Sequence, residues 1–266
     1  KINNVEILCE KSFIGQVKEI KNAFVTELRR FGKALIIDLG NGKSLMIHLR
    51  MTGQLIYDPK DKKYRYAAGH PSENFLDQLP NGQTRVIIEL EKGTLYFNDQ
   101  RKFGFIKILD ADKIEDESFI KKLAKEPWDI TPEELHKKLQ KHQNSPIKAT
   151  ILDQTIIAGL GNIYADETLF MSKIHPSTKS GQITKTQAET IIKNAKTVME
   201  KSIDSGGSTL KDYKKADGTR GDYLDKFAQV FNKEGQPCPV CKTTIKKIRV
   251  AGRGTHFCPR CQKEKK

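Results

Sequence analysis

Four cysteines near the end of the 266-residue chain carry the plainest chemistry: Cys238-x2-Cys241 and Cys258-x2-Cys261, with sixteen residues between the pairs. Two Cys-x-x-Cys knuckles at such spacing predict a zinc site. Four thiolates complete a tetrahedron, so one structural Zn2+ per chain is expected, with no open position for a substrate. Between the knuckles, TTIKKIRV and GTHFC flank AGRG, two alternating runs that predict a β-hairpin pinned at its base. So short a segment needs the metal for its folding energy. Every charge from Cys238 to Cys261 is positive: Lys242, Lys246, Lys247, Arg249, Arg253 and Arg260. Glycines beside Arg253 would let the main chain approach a phosphate, onto which a guanidinium can fork. A zinc ribbon can also dock another protein; one-signed charge favours nucleic acid.

A second candidate is DQTIIAGLGNIYADETLF, where Gly159 and Gly161 bracket a turn and Asn162 opens a helix, with Ile163, Phe170 and Ile174 expected along one side. A helix start offers unpaired N–H groups and partial positive charge, a ready phosphate site. The net charge of +14 points the same way, to a polyanion, without separating DNA from RNA, ribosome or acidic lipid. The fifth cysteine, Cys9, reads as a small apolar residue of a strand. An odd cysteine count argues against a disulfide framework. No apolar run approaches the roughly 20 residues of a membrane span, and KINNVEILCEK holds no apolar leader core, so a cytoplasmic protein is expected.

The elements that must position these groups change character along the chain. ALIIDL and SLMIHLRM flank GNGK, RVIIELEKGTLYFND repeats the hairpin pattern, and GFIKIL adds a strand. In the second run, alternation puts Leu45, Ile47 and Leu49 on one face and His48 with Arg50 on the other. YDPKDKKYRYAAGHPSENFLDQLPNG reads as a polar surface excursion. From about residue 115, EDESFIKKLAKE and TPEELHKKLQKH read as helices. The clearest helix is TKTQAETIIKNAKTVMEKSID: Thr184 and Gln187 form a capping box, Ala188, Ile191, Ile192, Ala195, Val198 and Met199 form an apolar stripe, and Gly206 and Gly207 end it. The expected class is α+β, with a strand-rich domain over 1–115, a helical domain over 116–230 and a metal-held tail over 231–266.

Taken together, ELRRFGKAL, IHLRMTGQL, DQRKFGF, ILDQT, AGLGNIYADE, GGSTLKDY and VAGRGTHFCPRCQ closely resemble the formamidopyrimidine-DNA glycosylases, bacterial base-excision repair enzymes. The resemblance spans nearly the whole chain, in order. It implies an N-terminal β-sandwich, a helix-two-turn-helix domain and a zinc finger, with damaged double-stranded DNA held between them by a monomer. Lys33 resembles the lysine that contacts the phosphate near the lesion and the damaged base. His48 and Asn162 look like phosphate contacts, and Arg253 like the zinc-finger arginine that pinches the backbone. Met51, Arg101 and Phe103 resemble a triad that fills the space left by an everted nucleotide. Read from residue types alone, Met51 and Phe103 are packing side chains and Arg101 a surface cation. Two residues apart on extended backbone, Arg101 and Phe103 are expected to project from one side. GGSTLKDYKKADGTRGDYLDKF resembles the loop that caps 8-oxoguanine, so oxidised purines, 8-oxoguanine and formamidopyrimidines, are the implied substrates. An endonuclease VIII-like enzyme for oxidised pyrimidines is the related alternative.

The family starts with Pro-Glu-Leu-Pro-Glu, its proline amine being the nucleophile that forms a Schiff base and cleaves the abasic site by β,δ-elimination. This sequence starts at KINNVEIL, which reads as a point within the first strand, and the expectation is a chain shortened at its start. Lys33 is then the amine left to consider for lyase chemistry. A non-catalytic protein that binds damaged DNA, and an RNA- or ribosome-associated zinc protein, are the readings from other classes.

Overall fold

The computed structural model describes residues 1–61, 65–69, 78–205, 207 and 223–264. They form two compact units, one spanning Lys1–Lys121 and the other beginning at Lys122. The segment 206–227, which resembles the lesion-capping loop, lies outside the described residues except for Gly207 and a single turn, Tyr223–Phe227.

The first unit is built from ten strands: β1 (Ile2–Ile7), β2 (Phe13–Ile14), β3 (Val25–Phe31), β4 (Ala34–Leu39), β5 (Lys43–His48), β6 (Gly53–Pro59), β7 (Tyr66–Gly69), β8 (Thr84–Leu90), β9 (Gly93–Asp99) and β10 (Phe105–Asp110). They make two five-stranded sheets, β1-β8-β9-β6-β7 and β2-β10-β5-β4-β3. Leu55, Val86, Ile88 and Phe97 from one sheet share a core with Ile37, Leu45, Ile47 and Ile106 from the other. Each such side chain contributes about 1.5–3 kcal/mol by leaving water. Both expected hairpins form, β4 with β5 and β8 with β9.

The alternation in β5 has a consequence that its polar partner residues conceal. Its second face is also covered: Met46 packs with Ala34, Ile36, Ile114 and Ile120, so β4 and β5 are buried on both sides. Ile114 comes from the 3-10 stretch Ala111–Asp116 and Ile120 from the one-turn helix α1 (Ser118–Lys121). EDESFIKKLAKE is therefore not one continuous helix: Phe119 and Ile120 serve the sheet, while the Ala124 N–H bonds the Gln154 carbonyl in the second unit. Within the excursion that follows β6, Tyr66–Gly69 pairs with β6 as an edge strand. Cys9 sits outside any strand, half-buried before the turn Glu10–Ser12.

The second unit contains α2 (Pro132–Lys141), α3 (Ile147–Leu152), α4 (Asn162–Met171), α5 (Lys185–Asp204) and a hairpin of β11 (Lys246–Val250) with β12 (Arg253–Phe257). Thr131 with Glu134 and Thr184 with Gln187 form reciprocal capping boxes at the starts of α2 and α5. Leu135, Ile151, Leu169 and Ile191 bring the four helices into one core, joined by the predicted stripe of α5. α4 lies at its centre, with every residue from Ala165 to Phe170 buried. Its expected single apolar side is replaced by three destinations: Ile163, Phe170 and Ile174 enter three different clusters. A helix wrapped on all sides must satisfy its polar members internally, and that need shapes the site.

Candidate nucleic-acid interface

In the first unit the expected residues gather where β5, β9 and β10 meet their loops. Lys33 occupies the two-residue turn between β3 and β4, and Ala34 beside it pairs with His48. His48 is buried against Phe105 and Phe119, with ring centroids at 6.1 and 5.1 Å. Its Nδ1 accepts the N–H of Arg50 at 3.0 Å. Burial first, then the charges of Arg50 and Lys33, push its pKa down to about 4. A neutral ring that accepts at Nδ1 carries its proton on Nε2. His48 is thus a fixed, uncharged donor rather than a cation.

Met51 and Phe103 are each 54% exposed, which removes the packing reading that their residue types suggest. The three triad members touch. The Arg101 guanidinium lies 4.8 Å from the Phe103 ring centroid, and its Nη1 is 3.4 Å from Met51 Sδ. Extended backbone is not the cause: β9 ends at Asp99, β10 starts at Phe105, and Lys102 between them has φ +57°. The loop is a turn that wraps a carboxylate. Asp99 is fully buried and accepts the N–H of Phe103 at 2.8 Å, of Gly104 at 2.7 Å and of Arg101 at 3.1 Å. Thr52, next to Met51, donates its hydroxyl to the same carboxylate and also accepts the Arg101 N–H at 3.1 Å. Gly104 has no room for a side chain, since a Cβ there would stand 2.8 Å from the Phe97 ring.

In the second unit Asn162 and Arg253 lie on neighbouring elements. Asn162 is the first residue of α4, and its Nδ2 donates to the carbonyl of Gly254 at 3.2 Å. Arg253 is exposed at the start of β12. The hairpin turn itself is Ala251–Gly252, both at positive φ, so Arg253 follows the turn instead of sitting in it. Beneath this pair lies an ion pair with both side chains inaccessible: Lys148 Nζ to Asp166 Oδ1 at 2.7 Å. Lys148 also donates to the Gly254 carbonyl at 2.9 Å and to Thr255 Oγ1 at 2.8 Å, while Asp166 Oδ2 accepts the His256 N–H at 2.9 Å. Burial holds the Lys148 ammonium below its ordinary pKa, opposed by Asp166. The neighbouring Glu167 accepts the N–H groups of Gln229, Val230 and Phe231 at 2.7–2.9 Å, and burial raises its carboxyl pKa against those bonds.

The sulfurs of Cys238, Cys241, Cys258 and Cys261 lie within 4.8 Å of one another. Cys238 and Cys261 are 3.9 Å apart, Cys241 and Cys258 3.4 Å. A tetrahedron with Zn–S bonds of about 2.3 Å has edges near 3.8 Å. The quartet fits a structural Zn2+, which these four residues hold. Gln262, buried behind them, accepts the Cys258 N–H at 3.0 Å and donates to the Ile174 carbonyl at 2.9 Å, fixing the knuckle just beyond α4.

Reasoning from sequence missed Asp99, Thr52, Lys148 and Asp166. All but Thr52 left a trace: an acidic residue at a strand end ahead of a polar turn, and charges set within the apolar runs PIKATIL and IYADETLF.

Comparison with known proteins supplies independent findings. The chain matches the formamidopyrimidine-DNA glycosylase N-terminal domain over residues 1–106, the formamidopyrimidine-DNA glycosylase H2TH domain over 123–214, and a zinc finger found in FPG and IleRS over 235–263. It is 37% identical to a formamidopyrimidine-DNA glycosylase of Pelotomaculum thermopropionicum over 273 residues, covering 100% of this chain and 92% of that one. The Mycoplasma genitalium formamidopyrimidine-DNA glycosylase is 37% identical over 252 residues, covering 92% and 81%. Among solved structures, Lactococcus lactis Fpg in complex with an abasic site containing DNA superposes with a TM-score of 0.86 at 31% identity, covering 99% of this chain and 93% of that one. MutM in complex with carbocyclic 8-oxo-G containing DNA gives 0.85 at 31%, covering 99% and 92%.

Proposed function

The chain belongs to the formamidopyrimidine-DNA glycosylase family, and from that premise we propose that it excises oxidised purines from duplex DNA and cleaves the resulting abasic site. The observation that carries this reading is the exposed triad in which Arg101 touches both Met51 and Phe103. An enzyme that works on a base's sugar bond must take the nucleotide out of the stack, at a cost of about a few kcal/mol. Phe103 wedges the base step, Met51 occupies the vacated space and Arg101 hydrogen-bonds the orphaned partner base.

The other residues hold the backbone. Arg253 supplies a forked cation, and the first N–H groups of α4 supply a helix end. Because the Asn162 amide donor is turned to Gly254, that residue couples the helix end to the hairpin while its own backbone faces the phosphate. His48 donates from a neutral Nε2, and Lys33, exposed on its turn, approaches the phosphate next to the lesion and the damaged base. Zinc, when bound, supplies folding energy to the hairpin and no reacting group. The protein acts as a monomer on chromosomal DNA in a bacterial cytoplasm. Its curated relatives are bacterial, and no described helix is long and apolar enough to cross a membrane.

In the family's reaction an amine attacks the anomeric carbon as the base leaves, forming an iminium that acidifies the adjacent sugar proton and sets up elimination. Lys33, exposed on the turn beside His48, is an amine of this cluster that could add to an opened abasic sugar. Borohydride trapping on an 8-oxoguanine duplex tests the scheme, using the chain with and without the family's whole start, from Pro-Glu-Leu-Pro-Glu through the first helix, placed ahead of its first strand. Excision and cross-linking are expected with that start. No excision in either form would end the proposal. Cross-linking at pre-formed abasic sites that disappears in Lys33→Ala would assign the residual lyase to Lys33.

A further inference from the structure

Five hydrogen bonds converge on the Asp99 carboxylate and on Thr52, and they join both loops that carry the triad. From the loop after β9, the N–H groups of Arg101, Phe103 and Gly104 bond to Asp99. From the loop before β6, Thr52 bonds the same carboxylate and the Arg101 N–H. Asp99 is itself held on its backbone, its N–H to the Gln83 carbonyl at 2.9 Å and its carbonyl to Arg85 Nε at 2.8 Å. Without those acceptors, the three N–H groups of a turn at left-handed Lys102 would have no partner inside the fold. A wedge pushed between stacked bases works only if its own backbone does not yield first.

We infer that Asp99, with Thr52 as its bridge, is the positioning residue of the wedge, locking Met51, Arg101 and Phe103 into one rigid unit that everts the nucleotide. This deepens the function proposed above and rests on it. Asp99 faces no substrate, being inaccessible, so its effect passes wholly through the triad. The carboxylate is required because it only accepts. In Asp99→Asn an Nδ2–H would confront N–H or hydroxyl donors.

The test uses the zinc-loaded 266-residue chain and duplexes with 2-aminopurine beside 8-oxoguanine, whose fluorescence rises when the step unstacks. The unmodified chain is expected to give a lesion-dependent rise. Asp99→Asn is expected to slow it by about tenfold, the size set by one lost buried acceptor, with zinc content and affinity for undamaged duplex retained. Thr52→Val should be slowed less, and Thr52→Ser, which keeps the hydroxyl, should restore the rate. In a Phe103→Ala background Asp99→Asn should add nothing, because both act on one device. Full additivity there, or an unchanged rate in Asp99→Asn, overturns the inference. Should Asp99→Asn fail to fold, the threonine pair decides: equal rates for Thr52→Val and Thr52→Ser overturn it. Absence of any rise with the unmodified chain would instead remove the function reading, and this inference with it.

Discussion

The two clusters are fixed by opposite means. In the first unit, the groups that would meet a base are exposed apolar and cationic side chains on short loops, organised by one carboxylate whose partners lie within five residues or across one strand pair. In the second, the groups that would meet phosphate are organised from far away: Lys148 reaches a carbonyl 106 residues later, and four thiolates close the hairpin. Reading a base needs a stiff local turn. Gripping a backbone needs two elements held at a set spacing, and here a buried charge pair and a metal set it.

Zinc removal is expected to separate the two regions most sharply. Structural zinc contributes about 10–16 kcal/mol in isolated finger peptides at neutral pH. A chelator should therefore strip hydrogen-exchange protection from the β11–β12 hairpin and abolish duplex binding, while the β-sandwich keeps its protection. Equal loss in both units would break the comparison.

Next in size is Lys148→Met. It leaves Asp166 buried without its cation, a change that costs about 3–5 kcal/mol. Urea unfolding of the zinc-loaded protein should show it, with the first unit's transition unmoved.

The first unit has its own probe in acid. His48 has a folded pKa of about 4 against an ordinary 6.5. Below pH 6.5 the unfolded chain takes up a proton that the folded ring refuses. Stability present above pH 6.5 is thus lost as pH falls toward 4, by up to about 3 kcal/mol. His48→Gln should flatten the pH dependence of the first transition across that window and leave the second alone.

The smallest expected effects on stability, within about 0.5 kcal/mol, come from Phe103→Ala and Arg253→Ala, and they differ in kind. Arg253→Ala should weaken binding to damaged and undamaged duplex alike and reduce the salt slope by about one. Phe103→Ala should weaken only the lesion-dependent part. If both variants acted alike, the division between reading and gripping would be wrong.

What the sequence made legible follows the same division by distance. The β4–β5 and β8–β9 hairpins, the Thr184–Gln187 capping box and the stripe of α5 are patterns within about twenty residues, and they were read; the equally local Thr131–Glu134 box was not. The cysteine quartet was read because spacing alone defines it. Arg101 and Phe103 were placed together for the wrong reason: strand periodicity was assumed where a left-handed Lys102 and a buried Asp99 make the turn. Lys148 and Asp166 were invisible as a pair, since each looks like a surface charge until folding brings α3, α4 and β12 together. The covering of β5 on its second face was missed because the apolar residues that do it, Ile114 and Ile120, sit inside an acidic and basic stretch.

The reach of Lys148 to Gly254 also orders events during synthesis. Domains tend to form as they leave the ribosome, earliest residues first. Until the last strand emerges, the buried Lys148 ammonium has Asp166 for a partner but not the Gly254 carbonyl or the Thr255 hydroxyl. A chain stopped at Val250 should leave the amides of α3 open to exchange, and extending it through Cys261, which completes the zinc site, should protect them.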